Sequence, residues 1–156
     1  MRQEEKMSLQ TKEIEATIHD IHEFFTDWVA GRCPGDDATF KKNALDRISD
    51  DLVAIMPGGR AFGKKDFAGY MKSIYGSNPA FRIKIRDIRI SHQSADLAVV
   101  NYHEWQRDAK DSDEPNNGRV TTMVVHDRGY SRGPEILQVH ETWLPADVVQ
   151  SADFAF

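Results

Sequence analysis

His103 and Glu141 are the side chains whose types and setting best suit proton-transfer chemistry. Each lies in a stretch with strand-like alternation, Leu97 to Arg107 and Ile136 to Leu144. An imidazole titrates near neutrality, and a carboxylate drawn out of water is pushed toward it. Such a pair can exchange a proton with a carbonyl, a hydroxyl or an acidic C–H. The terminal stretch Ile136-Leu137-Gln138-Val139-His140-Glu141-Thr142-Trp143-Leu144-Pro145 places a carboxylate, an imidazole and an indole where a half-buried strand would simply alternate. An unpaired buried charge is costly, so Glu141 marks either a polar pocket or a buried ion pair.

Register decides which side chains share that pocket. Setting Val99 opposite Val125 aligns Asn101 with Met123 and His103 with Thr121. Setting Val125 opposite Leu137 aligns Met123 with Val139 and Thr121 with Glu141. This register predicts one face carrying the catalytic candidates His103 and Glu141 with the ligand-binding candidates Asn101, Trp105, Thr121, Met123 and Trp143. Trp28 from the first helix joins them. The other face would hold Val100, Tyr102, Glu104, Thr122, Val124, His126, His140 and Thr142, a mixture suited to a homodimer interface. A one-residue slip would exchange the faces.

The elements that must position these groups are readable from periodicity. Ile14, Ile18, Ile21, Phe25 and Val29 form the apolar stripe of a helix over Thr11 to Ala30, widened by Phe24 and Trp28 and stopped by Gly31. Turn residues 32–37 lead to a short helix through Phe40, Ala44, Leu45 and Ile48. A strand at Leu52 to Met56 ends at Pro57-Gly58-Gly59, and a third helix spans Lys64 to Tyr75. From Phe81 onward the chain reads as strands: Phe81 to Arg86, Leu97 to Arg107, Arg119 to His126 and Ile136 to Leu144. Helices first and a meander afterwards predict an α+β fold, a curved antiparallel sheet wrapped around N-terminal helices in a single domain. The core domain is expected over residues 11–145, with a frayed segment at 1–10 and a tail at 146–156.

Composition narrows the partners. The 156 residues carry a net charge of −5 and 40% hydrophobic content, which suits a soluble globular domain and argues against nucleic acid as a partner. The charged start Met1-Arg2-Gln3-Glu4-Glu5-Lys6 and the lack of a long apolar run predict a cytoplasmic protein without a membrane partner. Cys33 has no second cysteine to pair with and reads as an ordinary thiol. The six histidines lack metal-site spacing, and His19 and His22 on the first helix read as a solvated surface. Neither a metal nor a cofactor is expected. Gly58-Gly59-Arg60-Ala61-Phe62-Gly63 lacks the Lys-Ser/Thr ending of a phosphate loop and reads as a turn. Asp27 reads as a helix-end surface residue, and Arg82, Lys84, Arg86 and Arg89 as the protective charge of an edge strand.

Three landmarks together resemble a known family. They are a first helix ending Phe24-Phe25-Thr26-Asp27-Trp28-Val29-Ala30-Gly31, a strand from Asp51 to Pro57 followed by Gly58-Gly59 and Gly63, and a terminal Val139-His140-Glu141-Thr142-Trp143. In layout they look like the SnoaL-like branch of the nuclear-transport-factor-two-like superfamily over roughly residues 11–145. The terminal strand is also similar to that of the association domain of calmodulin-dependent kinases. The resemblance implies a cone-shaped, barrel-like sheet around a pocket, commonly dimeric through its outer face. It implies no single activity. Ketosteroid-isomerase relatives carry a general-base aspartate just before the proline, where this chain has Ile55-Met56. His103 with Glu141 or Asp27 approximates the dehydratase arrangement.

Three functions follow as expectations. The first is a module binding a small hydrophobic metabolite in a polar-lined pocket. The second is a cofactor-independent lyase or isomerase using His103 and Glu141. The third is a dimerising scaffold.

Overall fold

The computed structural model describes residues 9–156. Most of the segment expected to fray at 1–10 lies outside the described residues, but Leu9 is buried and its N–H donates to the Ala95 carbonyl. Helix α1 spans Thr11–Ala30, as its apolar stripe predicts, and buries Ile14, Ile18, Ile21, Phe24, Trp28 and Val29. It stops at Gly31, whose φ of 74° is the left-handed cap that glycine adopts without a Cβ penalty. Helix α2 covers Asp37–Asn43, opened by the Asp36 carboxylate accepting from the Thr39 N–H, and a 3-10 turn follows at Leu45–Arg47. Helix α3 covers Lys64–Ser73.

The strands are β1 (Ile48–Ile55), β2 (Ala61–Phe62), β3 (Arg82–Gln93), β4 (Leu97–Arg107), β5 (Asn117–His126) and β6 (Glu135–Trp143). They form one six-stranded sheet in the order β2-β1-β6-β5-β4-β3. The sheet is curved but open, not the closed barrel that the resemblance suggested, because β2 and β3 remain edges. Its pairings are antiparallel as expected, except that β1 runs parallel to β6. Strand β3 is longer than its first alternating run. It runs on to Gln93, and the chain crosses bulges between Arg86 and Arg89 and between Ile90 and His92. Asp87 sits at the first bulge with φ 59°.

Helix α1 packs its stripe against the concave face of the sheet. Ile14, Ile18 and Ile21 meet Leu52, Ala98, Val100, Tyr102, Met123, Val125 and Ile136 there. A second cluster joins Phe24, Trp28, Val29, Phe40, Met71 and Phe81 at the far end of the helix. Burying an aromatic or aliphatic side chain of this size contributes roughly 1.5–3 kcal/mol. The C-terminal segment forms α4, Ala146–Gln150, and then returns over the convex face. There Phe154 packs edge-on against Trp105 with ring centroids 5.7 Å apart.

Candidate functional site

The β4–β5 register differs by one residue from that expected, and this corrects the predicted site. Tyr102 lies opposite Thr121, His103 opposite Val120, and Trp105 opposite Gly118. Asn101, His103 and Trp105 therefore face the convex side, while Val100, Tyr102 and Glu104 turn inward. The cause is legible at Gly118: a Cβ there would lie 2.5 Å from the Trp105 ring, so the indole and the glycine fix each other across the ladder. His103 pairs with Asp87 at 3.3 Å on the convex face and cannot share a substrate with Glu141. Asn101 donates to the Thr122 hydroxyl, 2.8 Å away. The β5–β6 register places Thr121 opposite Glu141 and Met123 opposite Val139. A bulge then sets Val125 against Ile136 instead of Leu137.

The slip brings a different set of groups together under the sheet. His22 of α1 is not a solvated helix residue; it is 6% exposed, and its Nε2 lies 3.2 Å from Glu104, itself 5% exposed. Its Nδ1 lies 2.7 Å from the Ile18 carbonyl. Both ring nitrogens thus face acceptors, an arrangement that the imidazolium satisfies and either neutral tautomer does not. Burial alone would lower the His22 pKa, but the Glu104 carboxylate outweighs it and raises it above 6.5. Burial likewise opposes ionisation of Glu104, yet His22 and then Arg119 hold its pKa down at about 2. The Tyr102 hydroxyl lies 3.4 Å from His22 Nε2, and burial beside the two carboxylates raises its pKa further.

Arg119 and Glu141 continue the network, joined at 2.9 Å. Burial and the Glu104 charge push the Glu141 pKa up to about 7, against the pull of Arg119. Arg119 also donates to Asn117, and Trp143, its neighbour across the ladder, covers its guanidinium at 4.8 Å. Nothing in the strand alternation marks Arg119, and the roles of His22, Tyr102 and Glu104 are not legible from periodicity. One signal was available: His22 follows Ile18 by one helical turn and so lies beside the apolar stripe.

Above this floor opens a cavity of about 550 Å³. Phe25, Val29, Met71, Ile74, Phe81 and Ile83 supply apolar wall, and Glu104, Gln106, Arg119 and Trp143 supply the polar end. Of the expected binding residues, Trp143 stands at this cavity, 47% exposed. Trp28 is buried behind it, its Nε1–H donating to the Met71 carbonyl at 2.8 Å, while Thr121 and Met123 are sealed in the core. A second depression, near the start of β1, is strongly charged. Its cations are consumed by neighbours: Lys41 by Asp46, Lys64 by Asp50, Arg128 and Arg132 by Glu135. Among the described residues no group of three or more His, Cys, Asp or Glu could hold a metal ion. Nor is any helix there long and apolar enough to cross a membrane.

Sequence comparison matches residues 15–141 to the family described as SnoaL-like domain. Comparison with curated proteins gave no match. Among solved structures, the fold is similar to an NTF-2 like protein of unknown function from Pseudomonas aeruginosa, at 24% identity and a TM-score of 0.75 over 85% of this chain and 99% of that one. It is similar to a CaMKII hub from S. rosetta, at 12% identity and a TM-score of 0.66 over 88% and 98%. It also resembles a putative dehydratase from the NTF2-like family of Streptomyces avermitilis, at 15% identity and a TM-score of 0.62 over 86% and 96%.

Proposed function

The chain belongs to the SnoaL-like domain family, with the NTF2-like α+β fold, and on that premise we propose that it binds a small, largely apolar molecule in the cavity beneath α1 and α3. The observation that carries this reading is the cavity itself: about 550 Å³, apolar over more than half of its lining, with Glu104, Gln106 and Arg119 at its floor and further polar residues at 77–78 and 110–113. Such a volume suits a drug-sized ligand, and convergent polar groups fix its orientation. Binding is favoured over catalysis because one of the two carboxylates at the floor is poorly disposed for proton transfer. Glu104 is held ionised far below neutrality and makes a weak base. The test uses Nile red, a neutral dye that brightens in apolar surroundings. Wild-type protein should enhance its emission saturably, and Ile83→Trp, which puts an indole into the cavity from β3, should abolish the enhancement. Equal enhancement by both proteins would refute the cavity as the binding site.

Cofactor-independent lyase or isomerase chemistry is a second reading, favoured by one observation. Glu141, raised to about 7, has the proton affinity expected of a general acid or base at neutral pH. His103 takes no part in this version. It predicts that Glu141→Gln retains the fold and loses turnover of a β-hydroxy carbonyl substrate; undiminished turnover in that variant removes the reading.

A homodimer through the convex face of β4, β5 and β6 is a compatible proposal. Val99, Val120 and Val124 lie there beside Asn101, Thr122 and His140, a mixed surface of the kind that non-obligate interfaces use. Light scattering should give twice the 17.8 kDa chain mass, and His140→Glu should halve it. A monomer in the wild type would dismiss the dimer.

A further inference from the structure

Arg119 has bonding capacity that the chain does not use. A guanidinium carries five N–H donors in a planar fork. Glu141 takes one and Asn117 another, and the buried Nε–H has no partner among the described residues. A buried donor left unsatisfied is costly, and beyond it each terminal nitrogen keeps one N–H outside these bonds, on a side chain that lines the cavity, where an added acceptor can meet it. Several of the acceptors around it are engaged. Glu104 Oε1 faces His22 and its Oε2 receives the Gln106 amide N–H, while Glu141 Oε1 faces Arg119. The guanidinium thus keeps N–H groups that no protein acceptor takes.

Charge points the same way. His22 offsets Glu104 at 3.2 Å, which leaves Arg119 and Glu141 to balance each other. Burial raises the proton affinity of Glu141, so near neutrality it neutralises Arg119 only in part. Asp111 and Asp113 stand at the rim, but both are exposed and water screens them. Trp143 supplies the remaining feature. One face of its ring covers the Arg119 guanidinium at 4.8 Å, and with 47% of the residue exposed it still offers aromatic surface at the cavity. Flat rings stack well on such a platform, and a guanidinium favours planar bidentate acceptors.

Resting on the proposed binding function, we infer that the cavity selects an aromatic carboxylate, its carboxylate on Arg119 and its ring against Trp143. The inference supplies a ligand class for that site and can fail while the site itself stands.

The test pairs 1-naphthylacetate with 1-naphthylacetamide, which share a ring system and differ in charge, as competitors of Nile red. Displacement by the acid at a concentration at least tenfold below that required by the amide is expected. Arg119→Gln should erase that preference. Since removing Arg119 strands Glu141, the double variant Arg119→Gln/Glu141→Gln serves as a control that keeps the buried site neutral, and it should likewise lose the preference. Trp143→Ala, a change at a half-exposed position, should weaken both competitors without restoring the amide to parity. If Nile red binds but acid and amide compete equally, or if the double variant still prefers the acid, the carboxylate assignment is overturned while the cavity stands. If Nile red does not bind, the binding function fails, and the ligand class falls with it.

Discussion

His22 and Glu104 show how one buried pair governs the chemistry around it. Each is sealed from water, and removing one partner of such a pair costs about 3–5 kcal/mol because the other charge is left uncompensated. His22→Ala should therefore lower the melting temperature by on the order of 10 °C. A change under about 2 °C in calorimetry would contradict the buried pairing. The pH dependence follows residue by residue. Glu104, lowered to about 2, contributes stability that is present above its ordinary 4.5 and is lost as the pH falls through 2. His22 is raised, so its contribution is full below 6.5 and is lost as the pH rises through its folded value. Glu141, raised to about 7, prefers its proton in the folded state, so stability erodes as the pH climbs from 4.5 toward 7. Arg119, Glu104 and His22 all face Glu141 and set that balance. Glu141→Gln should flatten the fall in melting temperature across that range, and a slope identical to wild type would show that Glu141 does not titrate there.

At the scale of elements, the helices were legible and one strand register was not. The stripe Ile14, Ile18, Ile21, Phe25, Val29 and the stop at Gly31 define α1 because a 3.6-residue period and a left-handed cap leave little choice. Strand β4 gave no such choice. Its two faces, Ala98-Val100-Tyr102-Glu104 and Val99-Asn101-His103-Trp105, are almost equally apolar, so alternation alone does not say which is buried. What decides it is long-range: Trp105 needs Gly118 across the ladder and a cover on the convex face. The cover comes from the C-terminal segment. Phe154 meets Trp105, Arg86 donates to the Asp153 carbonyl, and Phe156 lies beneath the guanidinium of Arg107 at 5.5 Å. Phe154→Ala should expose Trp105 and shift tryptophan emission to the red with little change at the cavity. Unchanged emission would mean that the segment does not shield the indole. The residues that build the candidate floor were missed for the same reason: His22, Glu104 and Arg119 come from three elements, and only the correct register makes them neighbours.

The whole molecule divides its polar chemistry between two faces. The concave side holds the neutralising network His22, Glu104, Arg119 and Glu141 at the end of an apolar cavity. The convex side holds His103, Asn101 and a tryptophan capped by the chain's own C-terminal segment. The fold class was legible in the sequence because helices followed by alternating strands admit few packings. The parallel pairing of β1 with β6, made across most of the chain length, was not. This division gives the tryptophans separate reporting positions: Trp143 at the cavity, Trp105 on the far face and Trp28 buried between helices. The most direct measurement is the indole N–H region of a ¹⁵N NMR spectrum during titration with 1-naphthylmethanol, a neutral aromatic small enough for the cavity. Cavity binding predicts that the Trp143 resonance shifts saturably while that of Trp105 stays fixed. A shift confined to Trp105, or none at any tryptophan, would contradict it.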